Sequence, residues 1–415
     1  MNKIKHTYNI KKRIMNKTNK VWNKTSFVLF LLLLCTLIFV LTGCNKEYKI
    51  KNVNGIDVKS YIVHTNDQYN YLNGSYEGIN LYAKGIDDLS APNYVKIGIK
   101  SKIEGNLGLI VEELDDNNEK TGEIFKYETI KDSDLIDGYF PVYNLKLHTV
   151  YQYSFSNGES DYVYIDEEIV RNLYIDGVTN CRDIGGYKGK DGKYTNQGLI
   201  YRTSKLNVDE GSDKVITDKG IDMMLNQLKV KTEIDLRLNN NNENGNIIDS
   251  PLGNNVNYIN LPMESSGNII LLNKNKFKDL FNILENKDNY PLFFHCSIGT
   301  DRTGCVAFIL NVLLEVSYDD LYKDYLFSNF GNIGSLRTTN TLEKYYTVLD
   351  GYSGDNYKEK MISYLVSNGV NEDDINNFIN IMTNWLIRES RNYELFWYFK
   401  EECCEKRWPR LCFIF

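Results

Sequence analysis

Histidine is scarce in this chain: there are four in 415 residues, at positions 6, 64, 148 and 295. Binuclear metallophosphatases and zinc hydrolases draw several His ligands from one domain, so metal-centred hydrolysis is not expected, nor is any other cofactor. Cysteine occurs eight times (35, 44, 181, 296, 305, 403, 404 and 412) without regular spacing, which argues against a disulfide framework. Adjacent Cys403 and Cys404, with Cys412, have no His beside them and read as part of an aromatic tail rather than a metal site. Long apolar runs are limited to Phe27–Leu41, 15 residues. A membrane-spanning helix needs about 20, so the run suits the core of a signal segment better than a span. Positive charge is also in short supply outside the leader. The first 43 residues hold eight basic side chains and no acid, and the remainder has 40 basic against 55 acidic. So acidic a body is a poor binder of nucleic acid, and any anionic ligand must be captured by a local positive site.

What is present is globular. Hydrophobic content is 42% and charged content 25%, and 415 residues are too many for one core, so two folded units are expected. From about 48 to 165, short β-rich runs such as Val95–Ile99, Leu107–Val111 and Tyr151–Phe155 alternate with Gly, Asn and Asp turns, the pattern of an all-β sandwich. Beyond about 166, strands alternate with helices. Ile216–Leu228 is amphipathic, Val230–Leu236 reads as a strand, Phe277–Leu284 as a helix, Leu292–Phe294 as a buried strand and Thr303–Leu314 as an apolar helix. That order argues an α/β unit with a central, mainly parallel sheet flanked by helices. The Asn-rich run 239–246 reads as a mobile loop.

The chemistry concentrates in His295-Cys296-Ser297-Ile298-Gly299-Thr300-Asp301-Arg302-Thr303-Gly304, at the end of the buried strand. Five residues separate Cys296 from Arg302, enough for a loop to curl with its N–H groups inward, and the following helix adds its N-terminal partial charge. Gly299 permits a backbone geometry that a side chain would obstruct. Arg302 offers a planar fork for two phosphate oxygens. Cys296, surrounded by donors, should be held as thiolate, and Thr303 can add a hydroxyl hydrogen bond and assist departure of the sulfur. A thiolate in a phosphate-shaped nest implies in-line attack on phosphorus and a phosphocysteine intermediate.

This spacing resembles the signature loop of the cysteine-dependent phosphatases. The wider resemblance is to the bacterial tyrosine phosphatase family of protein tyrosine/serine or lipid-like type. It rests on Asn180-Cys181-Arg182-Asp183-Ile184-Gly185-Gly186-Tyr187, Gly198–Leu206, Ile234-Asp235-Leu236-Arg237 and Asp324–Asn329, in addition to the loop. It implies the cysteine-dependent phosphatase fold over 166–390, preceded by a fibronectin III/Ig-like spacer over 44–165 whose Leu145–Tyr151 is similar to a leucine and tyrosine corner. Residues 391–415 are left as an unassigned tail. Three departures stand out. Thr300 occupies a position where the branch carries Lys, Cys181 stands where Phe is usual, and the Glu expected after Asp-Leu-Arg is displaced, with Glu243 nearest.

The implied activity is hydrolysis of phosphotyrosine, with phosphoserine/threonine as further substrates. A phosphoinositide phosphatase and a non-catalytic phosphate-binding surface lipoprotein are the alternatives. Cys296, Arg302 and Thr303 are the expected catalytic groups. Ser297, Ile298, Gly299, Thr300, Arg182, Asp183 and Arg237 are expected to bind substrate, although the last three also suit buried ion pairs. No Trp-Pro-Asp loop is present to supply a general acid. Asp301 is the resemblance-based choice, and Glu264, 32 residues before the nucleophile, is its rival. His295 is expected to orient the loop. Cys181 reads as a small buried thiol, with a disulfide to Cys296 as the alternative. Finally, Leu41-Thr42-Gly43-Cys44 resembles the bacterial lipoprotein signal box. By that resemblance 1–43 is a signal peptide, Cys44 is lipidated, and the protein is extracytoplasmic and anchored to the cell membrane.

Overall fold

A computed structural model describes residues 48–84, 89, 94–99, 103, 106–167, 169–206, 215–243 and 245–383. The expected signal segment, Cys44 and the Cys-containing tail lie outside the described residues. No described helix is long and apolar enough to cross a membrane.

Beyond residue 166 the chain is built on a five-stranded sheet, in the order Asn257–Asn260, Thr232–Asp235, Leu292–His295, Ile200–Thr203, Arg182–Asp183. Its strands are β9 (Arg182–Asp183), β10 (Ile200–Thr203), β11 (Thr232–Asp235), β12 (Asn257–Asn260) and β13 (Leu292–His295). The β12/β11, β11/β13 and β13/β10 pairs are parallel, and only the two-residue edge strand β9 runs antiparallel. All four residues of β13 are buried, as a central strand covered on both faces requires. Strand alternation sorts its side chains. Leu292 and Phe294 join the larger core beneath the helices, and Phe293 joins a second cluster on the opposite face with Tyr201, Leu206 and Met224. Each such burial stabilises the sheet by roughly 1.5–3 kcal/mol. Over the larger core lie α2 (Phe277–Leu284), α3 (Asp301–Leu313), α4 (Tyr318–Phe327), α5 (Asn340–Leu349), α6 (Tyr357–Ser367) and α7 (Glu372–Thr383), with α1 lying in the preceding segment. Helix α3 is buried on every side after its first residue, so it is the central helix. The amphipathic stretch 216–228 is less regular than expected: a short helix over Asp218–Asp222 continues as a π-helical turn over Met223–Gln227.

The preceding segment differs from the expected all-β sandwich. A six-stranded sheet of order β1-β2-β8-β7-β4-β5 is present, from β1 (Lys49–Val53), β2 (Ile56–Tyr61), β4 (Leu107–Leu114), β5 (Lys120–Ile130), β7 (Val150–Phe155) and β8 (Ser160–Ile165), with a separate β3 (Val95–Gly98)/β6 (Tyr139–Val142) pair. The β2/β8 pair is parallel. Two helical stretches interrupt the strands, α1 (Asn66–Asn73) and Tyr76–Tyr82. A capping box starts α1: the Thr65 hydroxyl accepts from Gln68 N–H and the Gln68 side chain accepts from Thr65 N–H. The corner over Leu145–Tyr151 does form, with Lys146 N–H donating to the Tyr151 hydroxyl at 3.1 Å.

The segment expected as a spacer packs against the α/β half. Residues from Ile50 onward form one compact unit. Tyr71, Leu72 and Ile79 sit in the same core as α3 and α4, Tyr76 stacks on Tyr322 at 4.6 Å, and Leu147 exchanges two hydrogen bonds with the Gln197 amide at 2.9 and 3.0 Å. The reason lies in the apolar face of the 66–82 helices, which the six-stranded sheet alone would leave exposed to water.

Candidate active site

The signature residues form a turn between β13 and α3. Cys296 follows the strand directly, Thr300 stands at the N-cap position without a side-chain capping bond, and Asp301 opens the helix. The loop's carbonyls are drawn away from its centre. Ser297 O accepts from Lys205 N–H (3.3 Å), Ile298 O from Asn180 Nδ2 (3.0 Å) and Gly299 O from Arg202 Nη2 (2.9 Å). With three successive carbonyls held outward, the amides between them face the other way, into the cradle. Gly299 has φ +70°, and a Cβ there would meet Thr203 O at 2.6 Å, so both conformation and space require glycine. Gly304 serves packing instead: a Cβ would come within 2.9 Å of the Tyr325 ring, where α3 and α4 touch.

Cys296 is 3% exposed. Burial alone would push its thiol up, yet Arg302 and the Thr303 hydroxyl and N–H outweigh that and hold it below the usual thiol range. The buried Thr303 hydroxyl has no oxygen or nitrogen partner among the described residues and lies against the sulfur it stabilises. The other thiols behave oppositely. Burial pushes Cys181 and Cys305 each up to about 12. Cys181 belongs to the second core cluster and Cys296 to the first, and both are free, buried thiols.

Arg302 is 5% exposed and aimed from several sides. Its Nη1 donates to Glu243 Oε2 (2.5 Å), Leu236 O (3.3 Å) and Met263 O (3.3 Å), and its Nη2 to Ser297 Oγ (3.4 Å). Glu243 comes from the Asn-rich run, which is therefore part of the site rather than an idle loop. Its Oε2 also accepts from Leu238 N–H at 2.8 Å, which fixes the carboxylate before it meets the arginine. Glu243→Gln is expected to lower kcat/KM about 10- to 100-fold, the scale of one hydrogen bond to a charged group, and to weaken inhibition by inorganic phosphate in parallel. Steady-state kinetics with phosphate as competitor checks both.

For three residues expected to bind substrate, or else to form buried ion pairs, the structure shows the ion pairs. Arg182, Asp183 and Arg237 are fully buried and spent on protein partners. Arg182 binds Asn180 Oδ1 (2.5 Å) and Asp324 Oδ1 (3.2 Å), and burial together with nearby Arg202 lowers its pKa to about 10. Asp183 pairs with Arg171 (2.6 Å) and accepts from Gly185 and Gly198 N–H (2.8 and 2.7 Å). Arg237 forks onto Asp235 (2.7 and 3.0 Å). Their donors and acceptors are engaged with the residues around the loop. Thr300 is likewise buried, near Asn180 (3.4 Å), and offers its backbone only.

His295 plays the orienting part. Its Nε2 meets Glu233 Oε1 at 2.9 Å and its Nδ1 meets Cys296 O at 3.3 Å. Burial would lower its pKa, but the Asp235 and Glu233 carboxylates raise it above the ordinary value. Sequence reading placed Asp324 in a family block without a role. Asp324 Oδ2 takes Arg202 Nη1 (2.5 Å) while Oδ1 takes Arg182 Nε (3.2 Å) and the Tyr187 hydroxyl (3.1 Å), so one carboxylate anchors both arginines beneath the loop. Arg337 escaped sequence reading altogether. Its Nε and Nη2 donate to the two oxygens of Asp301, each at 2.7 Å. Glu264, the rival acid, follows the Met263 carbonyl that Arg302 touches. Its backbone is clamped by Asn273 (2.7 and 3.0 Å), and the residue is exposed. No cluster of three or more metal-ligating side chains occurs among the described residues.

The description "Tyrosine phosphatase family" matches residues 173–380, half of the chain, from β9 into α7 with the whole cradle. The chain belongs to the tyrosine phosphatase family. A curated Cupriavidus necator protein, whose name assigns it without proof of activity to the tyrosine-protein phosphatases, is 26% identical over 39% of this chain. The chain spans 64% of that relative's length. Two solved structures are also similar. The core catalytic domain of the S. cerevisiae PP-IP phosphatase SIW14 is 18% identical, covers 36% of this chain and 83% of its own, and gives a TM-score of 0.26. P. aeruginosa TpbA is 15% identical, covers 40% of this chain and 89% of its own, and gives 0.25.

Proposed function

We propose that this member of the tyrosine phosphatase family is a phosphomonoester hydrolase acting on phosphotyrosine, and on phosphoserine/threonine, through a phosphocysteine intermediate. The observation that carries the reading is the capture of three successive loop carbonyls on the outside of the cradle, beneath a sulfur whose pKa is drawn down. In the first step the Cys296 thiolate attacks phosphorus while the ester P–O bond breaks. Its electron pair goes to the leaving oxygen, which takes a proton from Asp301. In the second step water attacks phosphorus, Asp301 takes the water's proton, and the S–P bond breaks to return the thiolate. The inward amides and the free edge of Arg302 stabilise the equatorial oxygens throughout. Asp301, the first residue of α3, sits beside Arg302 with its carboxyl held in place, whereas Glu264 is an exposed side chain. From the likeness of Leu41-Thr42-Gly43-Cys44 to a lipoprotein signal box we also infer an enzyme outside the cytoplasm, attached to the membrane through lipid on Cys44, with phosphorylated protein as its partner.

Turnover of p-nitrophenyl phosphate in the presence of EDTA tests the proposal. Activity insensitive to EDTA and blocked by vanadate is the expected result. Activity that chelation abolishes would overturn it. A panel of phosphopeptides against phosphoinositides then separates the two substrate classes.

A further inference from the structure

The mouth of the cradle carries a cation that the signature loop does not encode. Arg337 lies in the segment between Phe330 and α5, 36 residues beyond Asp301. Its backbone is fixed by Asn329, which is fully buried: Arg337 N–H donates to Asn329 Oδ1 at 2.7 Å, and Asn329 Nδ2 donates to Arg337 O at 2.9 Å. Its Nη1 is turned away from the carboxyl, onto Ser335 O (2.5 Å) and Oγ (3.0 Å). That leaves Nε and Nη2 as a two-pronged donor with one direction open, and both prongs land on Asp301. The side chains of the pair remain 19% and 30% exposed, so they meet at the surface where a leaving group would depart.

A carboxylic acid has one acceptor oxygen fewer than a carboxylate to offer such a fork. When Asp301 carries the proton, one arm of Arg337 must let go while the other keeps its oxygen. The released oxygen then swings toward the leaving group with the carboxyl still tethered. After transfer, both oxygens return to the fork. We propose that Arg337 is a positioning residue of the reaction, holding the Asp301 carboxyl by one oxygen while the other delivers its proton to the leaving group. This rests on the reading of Asp301 as general acid.

The test compares wild type, Asp301→Asn, Arg337→Gln, Arg337→Lys and the Asp301→Asn/Arg337→Gln double variant on a series of phosphate esters, from aryl groups that leave easily to alkyl groups that leave poorly. Both single losses are expected to steepen the dependence of kcat/KM on leaving-group acidity. Arg337→Gln should lower turnover of the poorest leaving group about 10- to 100-fold and change the best by no more than about threefold. Arg337→Lys, which can hold one oxygen but cannot fork, should recover part of the loss. The double variant should match Asp301→Asn alone. An Arg337→Gln loss equal across all esters, or additive with Asp301→Asn, would overturn the proposal and reduce the pair to a structural contact. Unchanged leaving-group dependence in Asp301→Asn with full aryl turnover would instead overturn the acid assignment beneath it.

Discussion

Replacing Cys296 with serine is expected to abolish turnover, lowering kcat on aryl phosphates by about five orders of magnitude or more, the scale seen when the nucleophile is removed from a coupled set of catalytic groups. A serine hydroxyl is nearly the right size, but the surroundings that hold the sulfur as an anion cannot do the same for an alcohol of far higher pKa. The anion-binding part of the site should survive. Gly299, Arg302 and the outward-tied carbonyls owe nothing to the sulfur, so the serine protein is expected to bind a phosphotyrosine peptide with affinity within about tenfold of a non-hydrolysable analogue's for the wild type. Calorimetry on the variant reads this directly, and an unchanged melting temperature shows that the fold is intact. Residual turnover near the wild-type rate would remove the phosphocysteine mechanism. The same thiolate sets the acid side of the pH profile. Because its pKa lies below the usual thiol value, the reactive anion is present above that lowered pKa, and kcat/KM should fall as pH drops through it.

The loop was legible in the sequence because its chemistry is contiguous. His295 to Gly304 places nucleophile, glycine, arginine and hydroxyl in one stretch, and the apolar residues on either side fix it between a central strand and a central helix. The parallel sheet was legible for the same reason, since runs such as Leu292–Phe294 are apolar on both faces. What could not be read is everything made by pairing at long range. Glu243 could be named as the nearest candidate for the family's Glu, but its meeting with Arg302 across 59 positions is hidden by an Asn-rich surrounding that reads as a mobile loop. Arg337 has no periodic or motif context at all; its role exists only once Asn329 has turned its backbone toward Asp301. Arg182, Asp183 and Arg237 show the converse difficulty. Charged residues in a family block suggest substrate contact, but only burial and partner geometry reveal that their donors and acceptors are already consumed. The helices at 66–82 were hidden among strand-like runs, although the Thr65 and Gln68 capping box was a signal that could have found the first of them.

Asp324→Asn should show how far the loop depends on what lies beneath it. The carboxylate is 3% exposed and is the shared acceptor for two fully buried guanidiniums. Burial pushes its pKa up, but Arg202 and Arg182 together draw it below the usual carboxylate range, so the charge is present at neutral pH. An amide in its place keeps the size, removes the charge and turns one end into a donor facing an arginine. Breaking a buried ion pair in this way costs about 3–5 kcal/mol, which for a domain of this size corresponds to a melting temperature lower by on the order of 10 °C. The functional loss should exceed what stability explains. Arg202 holds Gly299 O, and Arg182 holds Asn180, whose amide holds Ile298 O. With Asp324 neutralised, two of the three outward ties slacken together, the amides between them lose their common direction, and the cradle no longer fits a phosphate. Turnover measured well below the new melting temperature is therefore expected to fall about 100-fold or more, with vanadate inhibition weakened to match. If the variant melted early but kept wild-type kcat/KM and vanadate affinity at low temperature, the outward ties would be shown to support the fold without shaping the anion site.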